Sequence, residues 1–172
     1  SLDLSGVGAV ELGRGFATIA GQYARGDGFT PIVAADRGPV DRPAPYEQAA
    51  IALRAVTGIG ADTELQANLS AFTDRRDRGM DFTRAKSEGA DASLRLVGRG
   101  AWGWSALAWL QARDFASGFA AVNDARTAVT PALEQYAVPA TGLGARLEVA
   151  PPVGGGVTLR LGADLRRVRL SG

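Results

Sequence analysis

The sequence predicts an all-β fold, an antiparallel up-and-down transmembrane β-barrel of about eight strands. Three observations support this prediction. Apolar and polar residues alternate with a period of two, the turns and loops between the strands alternate in length, and the charged residues stay on one side of most strands. In residues 63–74, for example, Leu65 and Leu69 fall on one side and Gln66 and Ser70 on the other. Successive strand side chains point to opposite faces, so such a sheet has an apolar face and a polar face.

The composition supports an ordered domain and excludes several kinds of chemistry. The 172 residues are 46% apolar and 22% charged, and no apolar run is long enough for a membrane-spanning helix. The sequence has no cysteine and no histidine, which rules out thiolate metal sites and Ser-His-Asp triads. We therefore expect no enzymatic activity, no cofactor and no metal site. A net charge of +1 without a basic cluster also predicts no nucleic-acid partner.

The first four strands are predicted from the period-two pattern. The first two alternate least cleanly, whereas the third places Ile51 and Leu53 opposite Arg54, and the fourth is the most regular. Most are about ten residues long, as a tilted strand needs in order to cross a bilayer. They cover residues 3–12, 16–25, 47–56 and 63–74.

The last four strands repeat the pattern. The fifth alternates Leu94 with Arg95, the sixth opens with Trp102 and Trp104 beside a turn, and both tryptophans suit an interfacial aromatic girdle. The seventh and eighth carry regular leucines. They cover residues 91–99, 102–113, 141–149 and 156–168.

The connections between strands alternate in length. Short turns bearing Gly or Pro follow the odd-numbered strands, and long loops at 26–46, 75–90 and 114–140 follow the even-numbered ones. Outer-membrane barrels have this arrangement, with long loops on the extracellular side. Both ends of the chain would then be extracellular, which predicts an internal segment of a larger barrel or a piece cut from one.

The polar face is predicted to line the lumen. An arginine on a lipid-facing surface costs about 2–4 kcal/mol at the bilayer midplane, so the charged side chains are expected to point inward. The candidate lumen residues are Arg54, Glu64, Arg95, Arg113, Arg146, Glu148, Arg160 and Asp164.

The long loops supply candidate ligand contacts. Residues 73–79 form a dense charged run, which is either a solvated loop or a contact for an anionic ligand or a lipopolysaccharide phosphate. Aromatic and amide side chains in the loop after the sixth strand suit a ligand that is partly apolar and partly polar. The candidates are Arg75, Arg76, Arg78, Phe119, Asn123 and Tyr136.

Several segments resemble the mid-barrel sequence of TonB-dependent outer-membrane receptors of the alphaproteobacterial type: residues 25–29, 90–99, 102–108, 117–119 and 135–144. The resemblance implies the outer membrane of a Gram-negative bacterium, lipid or lipopolysaccharide as surroundings, and uptake of a nutrient such as a ferric siderophore. Receptors of this family have a larger barrel and a plug. Residues 1–172 are instead predicted to form one barrel domain or barrel segment without a plug, and no TonB contact is expected from it.

Two other interpretations remain open. One is a stand-alone or engineered eight-stranded membrane barrel with a structural or pore role, because eight strands suffice for closure. The other is a soluble β-barrel that binds a small apolar ligand. For an ordered monomer we expect the first strand to pair with the eighth, because lipid cannot satisfy open strand edges.

Overall fold

The computed structural model describes residues 1–170 as one antiparallel sheet of nine strands. A short 3-10 turn at Ala34–Asp36 interrupts the first long loop. No helix within residues 1–170 is long and apolar enough to span a membrane. Ser171 and Gly172, which the single-domain prediction includes, lie outside the described residues. The strands are β1 Leu2–Glu11, β2 Gly15–Gly26, β3 Tyr46–Gly58, β4 Thr63–Arg76, β5 Ala85–Arg99, β6 Gly103–Val122, β7 Val129–Gln135, β8 Ala140–Ala150 and β9 Leu161–Leu170.

Neighbouring strands follow chain order, as predicted for an up-and-down sheet. The order is β1-β2-β3-β4-β5-β6-β8-β9, and β7 pairs with the far end of β6. Along the edge of β6 that faces away from β5, residues 103–113 pair with β8 and residues 117–122 pair with β7. The antiparallel all-β prediction is confirmed, with one strand more than the eight expected.

The expected pairing of the first and last strands is wrong. Within residues 1–170, β1 pairs with β2 alone and β9 with β8 alone, so the sheet is open. Every residue of both strands is exposed. Alternation within single strands shows which face each side chain takes but holds no information about how the sheet curves or where it ends.

Two predicted loops are largely strand. β4 and β5 extend into residues 75–90, which leaves only 77–84 as their connection, and β6 and β7 form a hairpin within 114–140. In these extensions charged residues such as Lys86, Glu88 and Asp114 share a face with the apolar residues, so the alternation breaks down. The last strand begins at residue 161 rather than 156, after a turn in which Gly155 and Gly156 have positive φ.

The register confirms that most of the predicted strand residues sort onto two faces. Arg167 of β9 is an exception, because it is the direct partner of Leu143 and lies on the same face as the leucines. Direct cross-strand partners place Ile19, Leu53, Leu69, Ala92, Leu110 and Leu143 in one row across the sheet. We call the face that bears this row the apolar face, and the opposite one, which bears Arg54, Asn68 and Arg146, the polar face. Val157 and Leu159, which fall within the predicted eighth strand at 156–168, precede β9 and belong to no strand.

The leucines of the apolar face are exposed. Leu69, Leu94 and Leu143 are 52%, 57% and 50% exposed, and within residues 1–170 Val56 on the polar face is the only buried hydrophobic residue. Soluble domains bury such a face against a second layer. Residues 1–170 form one sheet and no second layer covers its leucines.

Two tryptophans lie over glycines of neighbouring strands, one on each face. The indole of Trp104 covers Gly98 on the apolar face, and that of Trp109 covers Gly144 on the polar face. A Cβ at Gly144 would approach Trp109 Cζ2 to 2.5 Å and the Leu165 carbonyl oxygen to 2.7 Å. Glycine at these positions lets a large ring cross the sheet and fix the register of its neighbour.

Candidate functional site

The centre of the polar face is organised around Asp91 in β5. The Arg113 guanidinium donates to its two carboxylate oxygens over 2.8 and 2.9 Å, and the Gln111 amide donates over 3.0 Å. Ser70 on the other neighbouring strand approaches over 3.5 Å. Because Ser70, Asp91 and Gln111 are direct register partners, the ladder itself brings these groups into one row. Asp91 was not among the predicted site residues. The alternation of the fifth and sixth strands places both Asp91 and Gln111 on the polar face, and this was the signal that could have identified Asp91.

Smaller clusters lie toward the two ends of the polar face. Near the short turns, Glu64 accepts from Arg99 over 3.0 Å and from Gln66 over 2.6 Å. Near the loops, Asp74 accepts from Arg76 over 2.8 Å and from Gln48 over 3.1 Å. Each carboxylate thus has its own cationic partner.

The carboxylates of these three clusters are separated from one another. The carboxylates Glu64, Asp74 and Asp91 are direct register partners of no other carboxylate in the adjacent strands. Within residues 1–170 no group of three acidic side chains is close enough to hold a metal ion. Paired charges of alternating sign make a hydrophilic surface in which each charge is satisfied locally.

The predicted lumen residues share the polar face, with one exception. The residues brought together there are Arg54, Glu64, Arg95, Arg113, Arg146, Glu148 and Asp164. Arg160 was assigned to the eighth strand, but it precedes β9 and lies in the turn region. The assignment of Arg160 to the strand face is therefore wrong, because the glycine-rich turn extends further than the alternation indicated.

Arginines of the polar face also stack on aromatic rings. The Arg54 guanidinium lies 5.9 Å from the Phe16 ring centre, that of Arg113 lies 5.5 Å from Phe72, and that of Arg166 lies 5.7 Å from Trp109. Such contacts hold the long side chains along the sheet surface.

An ion pair ties the first long loop to the β6–β7 turn. Arg126 Nε donates to Asp41 over 2.6 Å, and the Asp41 side chain is only 1% exposed. The amide of Gly38 also donates to Asp41, over 2.9 Å. Hydrogen bonding from Arg126 is the main cause that holds the pKa of Asp41 at about 2. The two residues are 85 positions apart, so no local pattern could have predicted their pairing.

A second link joins the first loop to the β4–β5 loop. Arg42 binds Asp77 over 3.2 Å and Asp81 over 2.5 Å, while its backbone amide donates to the Gly79 carbonyl over 2.9 Å. With the Asp41–Arg126 pair, this link fastens residues 27–45, 77–84 and 123–128 to one another. We call these segments together the loop cluster.

The predicted ligand-contact residues of the charged run are divided between strand and loop. Arg75 and Arg76 belong to β4, not to a loop. Arg78 lies in the β4–β5 loop, where its guanidinium is 4.8 Å from the Phe119 ring centre and donates to Ser117 over 3.1 Å. Arg78 and Phe119 thus come together, although Phe119 lies in β6.

The other two predicted contacts have different surroundings. Asn123 accepts from the backbone amides of Thr127 and Ala128, so its side chain shapes the β6–β7 turn. Tyr136 is 83% exposed, and its hydroxyl donates to Glu134 over 2.8 Å.

The loop end of the sheet has a cavity of about 1010 Å³. Its wall contains strand residues from β2 to β7 together with seven residues of the loop cluster, Asp27, Arg42, Pro45, Asp77, Asp81, Phe82 and Arg84. Arginines and one lysine alternate there with carboxylates, and Tyr46, Phe82 and Tyr136 add aromatic surface. Arg75, Arg76 and Tyr136 are the predicted contacts that line this cavity.

Comparisons with protein-family models, with curated protein sequences and with solved structures found no match for this chain. The resemblance to TonB-dependent receptors therefore stays a prediction. The function proposed below depends on the two faces of the sheet and on its loop end.

Proposed function

We propose that this chain forms part of the wall of an outer-membrane β-barrel related to TonB-dependent nutrient-uptake receptors, without enzymatic activity. The apolar face meets lipid, the polar face lines the lumen, and the loop cluster with its cavity lies on the extracellular side. The chain would contribute the barrel surface along which a scarce nutrient passes.

The observation that carries this proposal is the inverted distribution of leucines. They are half exposed on the apolar face, whereas Glu64 and Asp91 on the polar face are paired with arginines. A water-soluble sheet hides its leucines, and a lipid-facing sheet displays them.

The height of the apolar face supports the same conclusion. The stretches Ala49 to Ala55, Leu65 to Ala71 and Leu143 to Val149 each present four successive small or apolar side chains. Seven strand residues span about 20 Å, close to the apolar band of about 25 Å on outer-membrane barrels. Glu47 and Arg75 lie beyond the loop-side limit of this band.

The open edges favour a segment of a larger barrel over a closed eight-stranded one. The unpaired backbone groups of β1 and β9 need strand partners in lipid. Strands beyond this segment would supply them.

Adjacent arginine substitutions on β4 test the proposal. Leu69 lies on the apolar face and its neighbour Asn68 on the polar face, and both are exposed. In phosphatidylcholine vesicles we expect Leu69→Arg to lower the free energy of unfolding by about 2–4 kcal/mol. Asn68→Arg, the matched control, should change it by less than about 1 kcal/mol. Urea titrations followed by tryptophan fluorescence would measure both.

A water-soluble sheet behaves differently in the same experiment. If the parent chain and both variants fold equally well as water-soluble monomers in buffer without lipid, the membrane proposal is wrong.

A further inference from the structure

The cavity at the loop end contains arginines without partners. Within residues 1–170, the side chains of Arg25, Arg75 and Arg84 form no ion pair or hydrogen bond. All three are exposed and line the cavity of about 1010 Å³. By contrast, Asp77 and Asp81 are already occupied by Arg42. The cavity therefore combines three free guanidinium groups with carboxylates of which Asp77 and Asp81 are engaged and Asp27 has no side-chain partner within residues 1–170.

Three basic residues and one glutamate form a row across four strands. Arg25, Glu47, Arg75 and Lys86 are successive register partners from β2 to β5, on the same side as the apolar face. Strands lie about 4.8 Å apart, so the row is about 14 Å wide. Glu47 accepts from the Tyr23 hydroxyl over 3.3 Å, and Lys86 binds Glu88 over 2.8 Å. Arg25 and Arg75, the two arginines of the row, have no such partner within residues 1–170 and are available to bind an anionic ligand.

The row lies just beyond the apolar band. Glu47 is two residues past Ala49 and Arg75 four residues past Ala71, which corresponds to about 7–13 Å along the strands. The headgroup layer of a bilayer occupies about 5–8 Å on each side of the hydrocarbon. A long arginine side chain can reach back toward that layer from this height.

Guanidinium groups recognise phosphate by paired hydrogen bonds of fixed geometry. We propose that Arg25, Arg75 and Arg84 bind the phosphate of an anionic lipid headgroup in this cavity. The inference rests on the proposed function, since it requires the apolar face to lie in lipid. Phe82 and Tyr136, which also line the cavity, supply aromatic surface for the rest of the headgroup.

Short-chain lipids at concentrations below micelle formation provide the test. The full chain, folded in an uncharged detergent, is titrated with dihexanoyl phosphatidic acid, with dihexanoyl phosphatidylcholine and with inorganic phosphate, and bound molecules are counted by native mass spectrometry. We expect phosphatidic acid to bind more tightly than either of the others. Arg75→Gln should weaken its binding about tenfold, because a charge-assisted hydrogen-bonded pair is lost.

Arg14→Gln is the matched control. Arg14 is an equally exposed arginine in the β1–β2 turn, at the opposite end of the sheet. Its substitution should leave phosphatidic acid binding unchanged, and Arg75→Lys should restore only part of it because lysine lacks the bidentate geometry.

The remaining results would overturn the inference in distinguishable ways. Equal binding of inorganic phosphate and phosphatidic acid would mean a free-phosphate site, and equal loss in Arg14→Gln and Arg75→Gln would mean general charge attraction. If the chain enters vesicles but Arg75→Gln binds phosphatidic acid normally, the lipid site fails while the proposed function stands. If the chain folds as a water-soluble monomer in buffer without lipid or detergent, the proposed function fails first.

Discussion

The interior strands and the edge strands of this sheet are built differently, although they share one alternating pattern. β4, β5 and β6 are hydrogen-bonded on both sides, and their polar faces carry the Asp91 and Glu64 clusters. β1 and β9 are bonded on one side only and are exposed at every residue. The difference shows that alternation determines which face of the sheet a side chain lies on, whereas cross-strand contacts determine the position of a strand within the sheet.

The largest effect that separates the two regions should come from adding one methyl group to a glycine. Gly144 in β8 lies under Trp109 and against the backbone of β9, whereas a Cβ added to Gly6 in β1 would meet no atom within 4 Å. We expect Gly144→Ala to lower the free energy of unfolding by about 1–3 kcal/mol through overpacking. Gly6→Ala should be neutral or slightly stabilising. Urea unfolding in vesicles would compare them, and equal effects would contradict the packing of Trp109 over Gly144.

A smaller difference is expected between two aspartates of the sheet. Asp91→Ala should lower the free energy of unfolding by about 1–2 kcal/mol, because Arg113 and Gln111 lose their acceptor in a partly exposed site. Asp3 in β1 makes no ion pair within residues 1–170, and Asp3→Ala should change stability by less than about 0.5 kcal/mol. Asp91→Asn should recover part of the loss, since one oxygen still accepts. Denaturant titration of the four proteins in the same lipid would test the ranking.

The smallest effect concerns the loops that fasten the interior strands together. The pKa of Asp41 is about 2 in the folded protein against an ordinary value of 3.8, so folding favours its carboxylate. The stabilisation is therefore complete above about pH 4 and is lost as the pH falls toward 2. Pepsin should cleave residues 27–45 faster as the pH falls through this window. Asp41→Asn should be cleaved readily already at pH 4, whereas Asp124→Asn, in the turn of Arg126, should behave like the parent chain.

The sequence was sufficient to predict the features that depend on period two. Leu53, Leu69 and Leu143 fall on one face and Arg54, Arg95 and Arg146 on the other, as the alternation required. Chain-order pairing also followed, because short turns leave neighbouring strands little choice. The prediction failed where the apolar side of a strand becomes charged, as at Arg75 and Lys86 in the extensions of β4 and β5.

The candidate site was less accessible from the sequence than the fold. Asp91 collects its partners from both neighbouring strands, and Asp41 pairs with a residue 85 positions away. Such contacts depend on the register and on loop conformation rather than on local pattern. The open edges were missed for a related reason, since closure depends on the curvature of the whole sheet.

The length of β6 has a mechanical consequence. This strand has 20 residues, about 66 Å in extended form, and the regular run of apolar side chains on its apolar-face side ends at Ala112, before Asp114. About 33 Å of strand therefore continues past Ala112, and Arg126 holds the turn at 123–128 to the first long loop. A short peptide epitope inserted in this turn would lie far from the centre of the sheet, and it would leave the strand register undisturbed only if the Asp41–Arg126 pair were kept.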